Sequence, residues 1–130
     1  MASVPTNLKY TKDHEWVKVE GSLATIGVTA FATEQLGDIV YVEMPKAGEQ
    51  VKAGATMGVV ESTKAVSDVF YPVSGTIKET NEPLTDAPET INQDPYDKGW
   101  LVKIELSDTA ELEGLMDAAN YEEHMKASAH

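Results

Sequence analysis

A chain of 130 residues with 42% apolar and 25% charged content can bury a core of its own, which excludes wholesale disorder. The absence of cysteine removes disulfide frameworks, thiolate zinc sites and cysteine nucleophiles together. A formal charge of −12 argues against nucleic acid and anionic membranes as partners, and suits steering toward basic protein surfaces.

The opening Met1-Ala2-Ser3-Val4-Pro5 has no basic region followed by an apolar stretch, and it is poor in Arg. Neither a secretory signal nor a transit peptide is expected, and a cytoplasmic protein is. Trp16-Val17-Lys18-Val19 alternates, Gly21-Ser22 turns and Leu23 to Val28 returns, which predicts a hairpin. Thr29 is placed to cap a short helix from Ala30 to Leu36 that Gly37 stops. Ile39 to Met44 is the next strand, ended by Pro45, and Met57–Glu61, Val66–Tyr71, Gly75–Glu79 and Trp100–Leu106 give four more. The stretch from Asn81 to Gly99 holds three prolines and several Asn and Asp residues, and is expected to be loop. After Ser107 the period changes: Leu112, Leu115, Met116 and Ala119 would share one face of a terminal helix. Short strands with frequent turns predict a mainly β chain, a sandwich or flattened barrel closed by that helix.

One segment bears on chemistry. Gly58-Val59-Val60-Glu61 and Val66-Ser67-Asp68-Val69-Phe70 are strands joined by the tip Ser62-Thr63-Lys64-Ala65. The bland reading of a tip lysine is solvation. The alternative is modification: a group visited by several enzymes must protrude from a rigid support at fixed height. A primary amine on a four-carbon stem, flanked by small residues, meets that need and can form a stable amide.

The motif Glu61-Ser62-Thr63-Lys64-Ala65 with Ser67-Asp68 resembles the lipoylation segment of glycine cleavage H proteins. Tyr10-Thr11-Lys12-Asp13-His14-Glu15-Trp16-Val17 is similar to that family's opening signature. Ile26-Gly27-Val28-Thr29, Leu36-Gly37-Asp38-Ile39-Val40 and Pro72-Val73-Ser74-Gly75 continue the likeness. Asn81, Leu84, Pro88, Asn92, Pro95-Tyr96 and Gly99-Trp100 extend it, so that it runs in order from about Leu8 to Tyr121. Thr63 stands where valine is common in the family, an exposed near-isostere.

The resemblance implies a lipoyl/biotinyl-type β-sandwich or flattened barrel with a short internal helix and a C-terminal helix. It also implies a single lipoyl-carrier domain over 1–130, strand-rich from about 8 to 106 and helical from about 108 to 126. Its implied function is that of a carrier, not an enzyme, with lipoic acid bound covalently through Lys64. The implied partners are a pyridoxal-phosphate glycine decarboxylase, a tetrahydrofolate-dependent aminomethyltransferase, dihydrolipoyl dehydrogenase and a lipoylating enzyme, and the carrier itself is expected to be a monomer. Glu15 is expected to line the arm, and Glu61 and Asp68 to be read during lipoylation or merely to solvate the tip. A second role, donating the lipoyl group to other lipoate-dependent complexes, stays open.

Three other readings of the residues are weaker. His14 beside Glu15 is either an acid–base pair or packing. Ser62 and Lys64 as a nucleophile pair lack any accompanying oxyanion arrangement. Trp16, Trp100, Phe31 and Tyr71 are expected in the core, and the three histidines show no metal-ligand spacing.

Overall fold

The computed structural model describes residues 5–128; Met1–Val4, on which the reading of the opening segment rests, lie outside the described residues. Among the described residues nine strands are present: β1 (Lys9–Tyr10), β2 (Glu15–Glu20), β3 (Leu23–Val28), β4 (Ile39–Glu43), β5 (Gln50–Val51), β6 (Thr56–Ser62), β7 (Val66–Phe70), β8 (Gly75–Thr80) and β9 (Val102–Leu106). They form a six-stranded sheet in the order β1-β2-β3-β9-β8-β5 and a three-stranded sheet β4-β6-β7. The two sheets make a flattened sandwich. Val17, Ala24, Ile26, Val42, Val60, Val69, Ile77 and Ile104 alternate inward and fill the space between them.

The expected hairpin is β2–β3, closed at Gly21, which has φ of 65°. The short helix α1 (Ala30–Leu36) has the expected ends: the Thr29 hydroxyl accepts from Ala32 N–H at 3.2 Å, and Gly37 N–H donates to Thr33 C=O at 2.9 Å. Strand edges differ from the sequence reading by a residue or two, as where β9 starts at Val102 rather than Trp100.

Two regions depart from expectation. The segment 81–99 is not all loop: a 3-10 turn covers Glu82–Thr85 and helix α2 covers Thr90–Gln93. Leu84 and Ile91 drive both turns into the core, and the Asn81 amide donates to Lys98 C=O and Trp100 C=O, each at 2.8 Å. The terminal helix does not run from 108 to 126. Thr109–Gly114 is 3-10, Met116 then pairs with Tyr10 by two 2.8 Å backbone bonds, and helix α3 covers Ala118–Ser128. Asp117 stops one conformation and starts the next by accepting from Asn120 N–H at 2.8 Å. Leu112 and Leu115 therefore pack on the main core, Met116 bridges, and Ala119 is exposed.

Helix α3 covers the outer face of the six-stranded sheet at its β1–β2 end. Ala118, Tyr121 and Met125 meet Leu8, Tyr10 and Trp16 in a second apolar cluster. Trp16 lies across Gly27, where a Cβ would stand 2.6 Å from the indole. Trp16 and Tyr71 are buried, while Phe31 and Trp100 are partly buried against the second cluster. Among the described residues no helix is long and apolar enough to cross a membrane.

Candidate functional site

Lys64 sits at the tip of the β6–β7 hairpin and is exposed. Ser62 organises that tip from below, at only 6% exposure. Its N–H donates to Ala65 C=O at 2.7 Å, and its hydroxyl accepts from Ala65 N–H at 3.0 Å and Lys64 N–H at 3.3 Å. The hydroxyl also donates to Ala65 C=O at 3.1 Å. Those bonds commit the hydroxyl to the backbone of the turn. The sequence showed Ser62 as a small flanking residue and missed this function; an Ser at i with a turn at i+2 and i+3 is the available signal.

A second element braces the tip. Thr63 N–H donates to Asp38 C=O at 3.1 Å in the α1–β4 connection. The Lys64 stem runs beside Gly37, where a Cβ would lie 3.3 Å from Lys64 Cε. Gly37 has φ 85° and ψ −156°, a region open to glycine. Thr63 itself is exposed, as the valine-to-threonine comparison expected.

Glu61 and Asp68 lie on the outward face of the three-stranded sheet. Register places Tyr41, Glu61 and Val66 in one cross-strand row and Glu43, Val59 and Asp68 in the next. Glu61 is half-buried and Asp68 exposed, beside Tyr41 and Val66 at 49% and 63% exposure. An apolar pair ringed by carboxylates thus adjoins the lysine.

Glu15 is elsewhere and buried, at 2% exposure. Its carboxylate accepts from the Thr11 hydroxyl at 2.6 Å and from Phe70 N–H at 3.2 Å. Burial pushes its pKa up to about 7, against the pull of those two donors. It floors a cleft of about 600 Å³ whose walls include Tyr10, Thr11, Phe70, Pro72 and Leu115. Asp68 is not among the residues lining that cleft.

His14 and Glu15 do not form an acid–base pair. His14 turns the other way, with φ of 68° and its Nδ1 2.8 Å from the Tyr121 hydroxyl. That hydroxyl lies 2.7 Å from Thr29 Oγ1, and the His14 ring packs on Phe31 and His124. Burial, with His124 alongside, lowers its pKa. His14 is therefore a packing residue that anchors α3. No group of three His, Asp or Glu side chains is placed to hold a metal ion among the described residues.

Comparison with known proteins decides the family. The profile described as Glycine cleavage H-protein matches residues 8–128. The chain belongs to the glycine cleavage H-protein family. That makes it a lipoyl carrier of the glycine cleavage system. A glycine cleavage system H protein from Anaeromyxobacter sp. (strain K) is 58% identical over 118 residues, 91% of this chain and 92% of that one. The glycine cleavage system H protein of Symbiobacterium thermophilum is 52% identical over 126 residues, 97% and 98% of the two chains. The crystal structure of a glycine cleavage system H protein from Mycobacterium marinum aligns with a TM-score of 0.83 at 41% identity, covering 91% of this chain and 95% of that one. The H-protein family thus accounts for the sandwich.

Proposed function

We propose that Lys64 carries the lipoyl group, and that the carrier passes the aminomethyl group of glycine from a pyridoxal-phosphate decarboxylase to a tetrahydrofolate-dependent aminomethyltransferase. Dihydrolipoyl dehydrogenase then resets the arm. The observation that carries this reading is the braced tip: an exposed lysine on a turn held by Ser62 and by Asp38 C=O. The residues fit the group. Lys64 is exposed, and among the described residues its amine makes no salt bridge, so it is open to acylation. When bound, the lipoyl group supplies a dithiolane that takes up and releases the one-carbon unit and two electrons.

The chain's own contribution is position. Lysine stem and lipoyl chain together reach on the order of 12–14 Å. At about 3.3 Å per residue, β7 from Val66 to Phe70 runs about 13 Å, so an arm laid along it from the tip reaches toward its far end. Its far end is a wall of the cleft floored by Glu15. Thr11, Glu15 and Phe70 would receive the end of a loaded arm there, where the Glu15 carboxyl would be available to a charged amine. Glu61 and Asp68 face the enzyme that lipoylates Lys64. The carrier acts as a cytoplasmic monomer, and each tethered visit raises the effective concentration of its cargo at the partner's site.

Glycine–bicarbonate exchange with a partner decarboxylase tests the reading. Exchange is expected with the lipoylated chain and not with Lys64→Arg, which keeps the charge but has no free primary amine. Equal exchange by both would overturn it. Transfer of the lipoyl group to other lipoate-dependent proteins without such exchange would favour the donor role.

A further inference from the structure

Helix α2 contributes no residue to the lining of the cleft described above, yet one of its side chains grips the strand entry that holds the tip. The Asn92 carboxamide presents its acceptor and one of its two donors in a plane. Its Oδ1 accepts from Ile39 N–H at 2.8 Å, and its Nδ2 donates to Gly37 C=O at 2.9 Å. The two bonds bracket Asp38, the residue whose carbonyl receives Thr63 N–H. Asn92 is itself fixed by its neighbour Ile91, which is fully buried in the main core, and Ile39 is 2% exposed.

We infer that Asn92 is a positioning residue for Lys64: by clamping Gly37 and Ile39 it sets the Asp38 carbonyl, and through Thr63 it fixes the height and direction of the lysine. The inference rests on the assignment of Lys64 as the lipoylated residue. Both ends of the clamp are needed. Ile39 begins β4, where the β4–β6 register shifts between Ile39 and Tyr41, so strand pairing does not by itself hold residue 38 in place. Gly37 is the helix cap, in a backbone conformation that its own α1 contacts fix only on the N–H side. The Asn92 amide supplies the partner for the carbonyl side. The Lys64 stem then lies along Gly37 with no Cβ in its way.

The test uses the full chain in two states. In the unmodified chain, amide exchange at Thr63 is followed by NMR for wild type, Asn92→Ala, Asn92→Asp and the exposed neighbour control Gln93→Ala. Lipoylation of Lys64 is then measured with lipoate, ATP and a lipoate–protein ligase. For Asn92→Ala, Thr63 exchange is expected to quicken at least about tenfold while β3 and β9 amides stay protected. The kcat for lipoylation is expected to fall about tenfold with KM changed less than about twofold, because the outward sheet face is untouched and only the amine is misplaced. Gln93→Ala is expected to match wild type. Unchanged Thr63 exchange with unchanged kcat would overturn the inference, as would a rise in KM alone.

Should Asn92→Ala fail to fold, Asn92→Asp carries the test. It keeps the size and the acceptor for Ile39 N–H, but sets a carboxylate oxygen against Gly37 C=O. Protonation restores a donor there, so the Thr63 amide shift is expected to return toward wild type as pH falls through the carboxyl range. A wild-type Thr63 shift at every pH would overturn the inference. Failure of wild type itself to be lipoylated at Lys64 would instead refute the proposed function, leaving the Thr63 readout intact.

Discussion

The Glu15 carboxylate accepts the backbone N–H of Phe70 at 3.2 Å, so the first residue of β2 is tied to the last residue of β7 across the two sheets. This bond joins the sheet that carries the lysine hairpin to the one that carries α3. It also gives a buried acid two structural partners, Phe70 N–H and the Thr11 hydroxyl, beside an open cleft. A carboxyl so placed couples protonation to folding.

Burial raises the Glu15 pKa from its ordinary 4.5 to about 7. Between those values the folded chain holds more proton than the unfolded one. The contribution to stability is therefore full below about pH 4.5 and is lost as pH rises through about 7. Glu15→Gln, uncharged throughout, is expected to gain on the parent by on the order of 2–3 kcal/mol between about pH 4.5 and 8. Urea titrations across that range check this; parallel pH profiles for the two chains would contradict it.

Ser62→Ala removes the acceptor shared by Lys64 and Ala65 N–H at the tip. Water can reach those amides, so the expected cost is about 1 kcal/mol, or a Tm lowered by about 4 °C. Lipoylation is expected to slow more than that loss of stability explains, since the amine loses its fixed height. Calorimetry and ligase kinetics on one preparation separate the two effects.

Gly58 lies where the backbone of β4 passes over β6. A Cβ there would stand 1.9 Å from Glu43 C=O, a backbone atom held in a paired strand. Gly58→Ala is expected to cost more than about 3 kcal/mol, whereas Gly114→Ala, with open space around it, is expected to change stability by less than about 0.5 kcal/mol. Chemical denaturation of both variants is the check.

With a formal charge of −12, encounters with basic partner faces are expected to be steered at long range. Raising salt should slow association more than it speeds dissociation. Stopped-flow rates with each partner enzyme that show no dependence on salt would contradict this.

Features with a local cause were legible in the sequence. Thr29 and Gly37 mark α1 because a cap hydroxyl and a positive-φ glycine act within a few residues, and Gly21 marks the β2–β3 turn for the same reason. The hairpin around Lys64 was legible as an apolar strand, a polar four-residue tip and a second strand. The start of the terminal helix was misjudged because apolar spacing records burial, not conformation: Leu112, Leu115 and Met116 are partly buried around a 3-10 turn and a bridge to Tyr10. The α2 turn was hidden among prolines, and its placement depends on Ile91 reaching a core built by distant strands. The bracing of the tip by Asp38 is a long-range backbone contact and the grip of Asn92 a long-range side-chain-to-backbone one, and neither has a sequence pattern.

The central claim is that the hairpin presents one amine at one place. It is tested most directly by pairing wild type with the double variant Thr63→Lys, Lys64→Ala, which moves the lysine one residue along the tip. Thr63 points its N–H at Asp38, so a lysine there leaves the turn in a different direction from Lys64. After incubation with lipoate, ATP and a lipoate–protein ligase, peptide mapping by mass spectrometry locates any adduct. The account predicts a single lipoyl group at Lys64 in wild type, and little or none at position 63 in a double variant whose Tm lies within about 4 °C of the parent. Efficient lipoylation at position 63, followed by normal glycine–bicarbonate exchange, would contradict it.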